Sequence, residues 1–231
     1  MKAKIQRAVG DARARESDLE ALCIDAPADP GGRWHAKDHL AHLASWRLRG
    51  ARTLDALRTD AEPPPPVEDD EQNAAFYAEN RDLTADEVKA LARDSWVALE
   101  TAVDRCTEED LAKPHPREPQ AQAWMIVPGV GGHLGVHLMW LYLEQGDRDR
   151  AEAAARWGYE LETTAFASPE ERAVADYNLA CFYARVDQAR DALPLLRQSF
   201  EARPSLVEIA RRDPDLDPIR DDSELKELLA T

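Results

Sequence analysis

The sequence predicts an all-α protein. Four long segments repeat apolar residues at intervals of three and four, the spacing of one helical face. No segment alternates apolar and polar residues for long enough to form a convincing strand. Stretches rich in proline or glycine separate the helical segments, and the pattern changes after residue 147. We therefore expect two domains, residues 1–147 and 148–231.

The first two helices are predicted from their apolar stripes. The first covers residues 2–23, and the second runs from Trp34 to about Leu57. The stripe of the second helix consists of His39, His42, Leu43, Trp46, Gly50, Leu54 and Leu57. An imidazole on an apolar stripe is costly unless it has a partner, so these histidines indicate a site.

A long connection follows the second helix. Pro63–Pro66 cannot continue a helix, and with the acidic run 68–71 they predict an extended, solvated segment. A short helical turn is expected at Phe76 and Tyr77. Tyr77 and Asn80 are candidate substrate-binding residues because they lie in this crossover, although they could equally only anchor it.

The third and fourth helices complete the first domain. Thr84 begins the third, with Glu87 three residues later in a capping box. A short capped turn at 107–112 and a loop to Pro128 come next, and Gly129–Gly132 lead into the fourth helix. Four long helices with one long connection predict a four-helix bundle.

Histidines on two of these helices predict a metal site. His133 and His137 are four residues apart, so they share one face of the fourth helix. With His42 from the second helix they would supply three ligands and leave an open position on a divalent ion. Neutral imidazoles suit zinc, nickel or iron(II). His115, in a proline-flanked loop, is expected to be exposed.

The third ligand has competitors on the second helix. Leu40-Ala-His-Leu43 favours His42 over His39 and His35, and His39 would then support a ligand or fill the core. Asp38 could orient an imidazole or simply face solvent. Trp46 is a core residue by its stripe and also a candidate substrate contact.

The second domain fits the tetratricopeptide pattern. Tyr177–Tyr183 is followed at the expected spacings by Ala192, Leu196 and Pro204. Ser168 begins this helical region in a capping box. A tail of helical hairpins could mediate a homodimer or bind a protein partner.

Composition excludes several functions. The net charge is -16, from 29 basic and 45 acidic residues, and both domains are acidic, so nucleic acid and anionic membranes are poor partners. No apolar run is long enough to span a membrane, and residues 1–22 lack the apolar core of a signal peptide. Three widely separated cysteines suggest reduced thiols in the cytoplasm.

Three stretches resemble the DinB-like superfamily of four-helix bundles. They are Trp34–Trp46, which contains His-Leu-Ala-His-Leu, then Asn73–Val88, and Gly132-His-Leu-Gly-Val-His137. The middle stretch is most similar to the ClbS/DfsB branch. The resemblance implies a metal held by one histidine of the second helix and two of the last, which are His42, His133 and His137 here.

The resemblance also implies a function. The characterised activities of the DinB-like superfamily include the transfer of low-molecular-weight thiols and a related isomerisation. The similarity to the ClbS/DfsB branch implies detoxification of electrophilic metabolites. The leading hypothesis is a metal-dependent enzyme that transfers a thiol or water to an electrophilic small molecule. Two alternatives stay open: a non-catalytic protein that sequesters a metabolite, and an interaction protein acting through its tetratricopeptide-like tail.

Overall fold

The computed structural model describes residues 1–26, 29, 33–117, 121–165 and 168–230, with the backbone alone at 128–131. These residues form twelve α-helices and two short 3-10 segments, and their one pairing outside helices is an isolated bridge between Pro114 and Gln122. The all-α prediction is confirmed. The helices are α1 Lys2–Arg15, α2 Ser17–Leu22, α3 Ala36–Arg58, α4 Asp69–Asn80, α5 Ala85–Arg105, α6 Glu108–Leu111, α7 Ile126–Glu144, α8 Arg148–Ala165, α9 Pro169–Arg185, α10 Ala189–Ala202, α11 Leu206–Ala210 and α12 Ser223–Leu229.

The chain divides into two compact units, Met1–His137 and Leu138–Thr231, and the division falls within α7. In the first unit α3 is the central helix: it packs along α5 and also contacts α2 and α4. The apolar stripes predicted for α3 and α5 form the core between them. Its fully buried side chains include Leu40, Leu43, Leu54, Val88, Trp96 and Leu99.

An ion pair lies inside this core. The Glu16 and Arg47 side chains are 1% and 0% exposed, and Arg47 Nη2 donates to Glu16 Oε1 over 3.0 Å. Trp96 Nε1 donates to the same carboxylate over 2.7 Å, and Arg47 Nε donates to the Ser95 hydroxyl over 2.8 Å. The carboxylate and the guanidinium are thus both hydrogen-bonded, and a buried ion pair is tolerated under that condition.

The single helix predicted over residues 2–23 is two helices in the structure. α1 ends at Arg15 and α2 begins at Ser17, with Glu16 between them. The Ser17 hydroxyl donates to the carbonyl oxygen of Ala14 over 2.8 Å. Such side-chain bonding competes with the backbone ladder, and here it accompanies the break that turns Glu16 into the core.

Two boundaries of the predicted connections were wrong. The acidic run 68–71 was expected in a solvated loop, but it begins α4, a full helix of 12 residues. Carboxylates in a first turn favour a helix because they complement its dipole. α7 begins at Ile126, before the glycines expected to precede it. Pro128 does not interrupt the helix, because it falls in the first turn, where no backbone donor is needed.

The second unit contains α8 to α12. α9 and α10 form a closely packed antiparallel-type hairpin around Phe182, Leu196 and Phe200. The capping box at Ser168 is confirmed, since Glu171 N–H donates to the Ser168 hydroxyl over 3.3 Å. The three cysteines of the chain are buried thiols outside any disulfide. Among the described helices, none has both the length and the apolar character needed to cross a bilayer.

Candidate metal site

Three histidines converge in the first unit, two from α7 and one from α3. One ring nitrogen each from His42, His133 and His137 lies within 4.8 Å of the other two. The Nε2 atoms of His133 and His137 are 3.0 Å apart because the residues stand one turn apart on α7. A tetrahedral ion with bonds of about 2.1 Å needs nitrogens about 3.4 Å apart, a value between the 3.0 Å of this pair and the 4.8 Å limit for all three.

A fourth histidine holds one ring of this cluster in place. His39 lies one turn before His42 on α3, and its Nδ1 is 2.6 Å from Nδ1 of His137. If Nε2 of His137 faces an ion as a lone pair, its Nδ1 must carry the proton and donate it to His39. Metal-ligating histidines usually donate this second N–H to an acceptor, and His39 would be that acceptor here.

The imidazoles of this cluster are held neutral. Burial, and after it the neighbouring His133, lower the pKa of His42 to about 3 and that of His39 to about 4. Burial also lowers the pKa of His133 to about 4, although Asp69 opposes the shift. The pKa of His137 is lowered well below its usual range, first by burial. Neutral imidazole is the form that binds a metal.

His42 provides the test of whether a cation fits. Its side chain is buried, and neither ring nitrogen has a hydrogen-bond partner among the described residues. Leaving a buried polar atom unpaired costs about 1–3 kcal/mol. An ion coordinated by His42 together with the other two rings would satisfy one of these atoms. The donor set therefore fits a divalent metal that prefers nitrogen ligands.

Aromatic rings cover the α3 side of the cluster. The Trp34 ring centroid is 5.1 Å from that of His42 and 5.5 Å from that of His39. Tyr77 stacks on the outer face of Trp34, with centroids 5.7 Å apart and planes 6° apart. This layer shields the imidazoles, and Trp34 is both the ring beside them and the packing partner of Tyr77.

A cavity of about 420 Å³ opens beside His133. Trp46, Asn73 and Met125 are among its lining residues, and Trp46 Nε1 donates to Asn73 Oδ1 over 3.0 Å. His115, which was expected to be simply exposed, is half-buried and also lines the cavity. The cavity lies within the 300–1,000 Å³ range of small-molecule sites, and His133 is the member of the cluster that lines it.

The remaining sequence candidates lie outside the cluster. Asp38 Oδ2 accepts from the backbone N–H of His35 over 2.9 Å, so this carboxylate caps α3. Asn80 is buried, and its Nδ2 donates to the Ser45 hydroxyl over 3.1 Å and to the Phe76 carbonyl over 2.8 Å. Asn80 therefore anchors α4 to α3.

Comparison with protein families gives one result. A family model of the DinB superfamily matches residues 8–140. The chain belongs to the DinB superfamily. The match includes the second half of α1, all of α3 and α5, and the part of α7 that carries His133 and His137. No curated protein and no solved structure matches the chain.

Proposed function

We propose that this DinB superfamily protein is a metal-dependent enzyme that transfers a low-molecular-weight thiol or water to an electrophilic small molecule. The observation that carries the proposal is His42, a buried imidazole without a partner that faces two further histidines. A purely structural core has no use for such an arrangement, because each unpaired nitrogen destabilises the fold.

The ligand set supports chemistry at an open coordination position. His42, His133 and His137 would hold the ion and leave a fourth position open, where a water or thiol would have a lowered pKa and be a nucleophile at neutral pH. In the transfer, the sulfur or oxygen forms a bond to the electrophilic carbon. With an epoxide, the carbon–oxygen bond of the ring breaks and its oxygen takes up a proton. With an α,β-unsaturated carbonyl compound, the carbon–carbon π bond breaks and the α-carbon takes up a proton. The nucleophile releases its own proton to solvent, so each reaction is a net addition.

The protein's own residues position the reactants. The bond between His39 and His137 fixes the orientation of one ligand ring. Trp34 covers the rings on one side, and the cavity beside His133 admits substrate on the other. A nucleophile at the cluster and an electrophile in the cavity would thus be neighbours, and such proximity accelerates a bimolecular step.

Metal analysis of protein purified without a histidine tag tests the proposal. We expect about one equivalent of zinc, nickel or iron, lost in His42→Ala, His133→Ala and His137→Ala. His115→Ala is the matched control, because it removes a histidine that lines the cavity outside the cluster. Unchanged metal content in all three cluster variants would contradict the proposal.

Activity is tested on the metal-loaded protein. Consumption of a low-molecular-weight thiol would be followed with an epoxide or an α,β-unsaturated carbonyl compound, and addition of water to the same compound would be followed without thiol. We expect turnover that depends on metal and on His42. If metal is bound and neither reaction is accelerated, sequestration of a metabolite in the cavity becomes the favoured function.

We further propose that residues 148–231 form a tetratricopeptide-like region. The hairpin of α9 and α10 supports this, since the pattern residues Tyr177, Ala180 and Leu196 are all buried in it. Such hairpins commonly present an interaction surface, and a homodimer or a protein partner would use it. Light scattering of the full chain would detect the dimer.

A further inference from the structure

The cavity beside His133 differs in charge from the rest of this acidic protein. Two of its lining residues are Arg49 and Arg117, and the one carboxylate among the described lining residues is Asp69. Arg52, on the same helix as Arg49, adds to the positive charge that acts on it. A net charge of -16 makes such a positive cavity a local exception that selects for anions.

Arg49 lines this cavity with a guanidinium whose positive charge is only partly balanced by a nearby carboxylate. It lies two turns after His42 on the same face of α3. Within the described residues its hydrogen bond goes to a neutral acceptor, the carbonyl oxygen of Pro65. Its pKa is lowered by burial and then by Arg117, and Asp69 offsets this only in part. Guanidinium has five donors, so most of those on Arg49 stay available for a ligand.

Arg117 shows which anion fits. Its Nη2 is 2.8 Å from Oδ1 of Asp69, the first residue of α4, and the Asp69 side chain is 65% exposed. An ion pair this exposed is weak, about 0–1 kcal/mol, and is easily exchanged for another partner. Asp69 therefore acts as an internal carboxylate that a ligand carboxylate could replace. Arginine binds a carboxylate through two parallel hydrogen bonds.

We propose that Arg49 and Arg117 bind the carboxylate of a small anionic substrate in this cavity. This inference rests on the proposed function, because His133 lines the same cavity and the reactive carbon of the substrate would approach the cluster there. The volume of about 420 Å³ accommodates a small molecule with one ring or a short chain. The substrate class is thus an electrophile that carries a carboxylate.

Calorimetric titration with benzoate and benzamide tests the proposal, since the two probes share a shape and differ in charge. We expect benzoate to bind at least about 10-fold more tightly than benzamide, the effect of one charge-assisted hydrogen bond. Arg49→Gln and Arg117→Gln should each remove that preference. Arg93→Gln is the matched control, because it deletes an exposed guanidinium of α5 at a distance from the cavity lining.

The Asp69→Asn variant is expected to bind benzoate more tightly. Such a gain in affinity cannot result from misfolding. The substitution removes the competing carboxylate, and we expect benzoate to bind several-fold more tightly. Equal affinity for benzoate and benzamide, or no response to Arg49→Gln, Arg117→Gln and Asp69→Asn, would overturn the proposal. Tighter binding of phenyl phosphate than of benzoate would overturn the assignment of a carboxylate.

The metal content of the same samples separates this proposal from the proposed function. If the purified protein contains no metal and binds benzoate through both arginines, the anion site is supported and the metal-dependent enzyme is contradicted. Full metal content without a preference for benzoate would leave the metal proposal intact and refute the anion site.

Discussion

Replacing Glu162 by glutamine should stabilise the protein increasingly as pH rises. Glu162 lies on α8, is 6% exposed, and burial alone raises the pKa of its carboxyl to about 8 from 4.5. The folded state therefore keeps the group protonated, whereas the unfolded chain ionises it. Below about pH 4.5 both the folded and the unfolded state hold the proton, so Glu162 does not lower the free energy of unfolding. Between pH 4.5 and 8 the unfolded state alone releases the proton, and the destabilisation by Glu162 grows with pH.

Each pH unit in that window is worth about 1.4 kcal/mol. At pH 7 the variant should exceed the parent protein in free energy of unfolding by about 3 kcal/mol, and above pH 8 by about 5 kcal/mol. Urea denaturation followed by circular dichroism at pH 4 to 8.5 measures the difference. Glu160→Gln, on the exposed side of α8, is the control and should show no such rise. A Glu162→Gln effect that is constant with pH would refute the reasoning.

Two further predictions concern the first unit. Arg47→Met should lower the free energy of unfolding by about 3–5 kcal/mol because it strands the buried Glu16 carboxylate, and adding Glu16→Gln should recover part of the loss in urea denaturation. His39→Ala should weaken zinc binding by about 10–100-fold in a competition titration, since it removes the partner of His137, whereas His115→Ala should leave the affinity unchanged.

Much of the fold was predictable because helical periodicity is a local property of the chain. The stripes of α3 and α5 and the capping boxes at Thr84 and Ser168 correspond to real helices and helix starts. The burial of Glu16 between α1 and α2 was not predictable, because it depends on an ion pair with a residue distant in sequence, Arg47. The residues around position 16 give no indication that Glu16 pairs with Arg47.

The candidate site was predictable in its main residues and not in its surroundings. A spacing of four brings His133 and His137 together whatever else the chain does. The bond between His39 and His137 depends on how α3 and α7 cross, which a stripe pattern leaves undetermined. Arg49 did carry a signal that was missed: it continues the stripe of His42 and Trp46 as a charged residue among apolar ones.

The closeness of Trp34 to the imidazoles gives this protein an internal optical reporter. Its indole lies 5.1 Å from the His42 ring, centroid to centroid, well within the range at which an ion with unpaired electrons quenches fluorescence. Zinc has a filled d shell and would leave the emission nearly unchanged. Nickel or iron(II) should dim it. The Trp46 ring lies 6.4 Å from that of His42, so Trp34→Phe and Trp46→Phe should each reduce the response and the double variant should abolish most of it. The emission spectrum could thus identify the kind of ion before any crystal is grown.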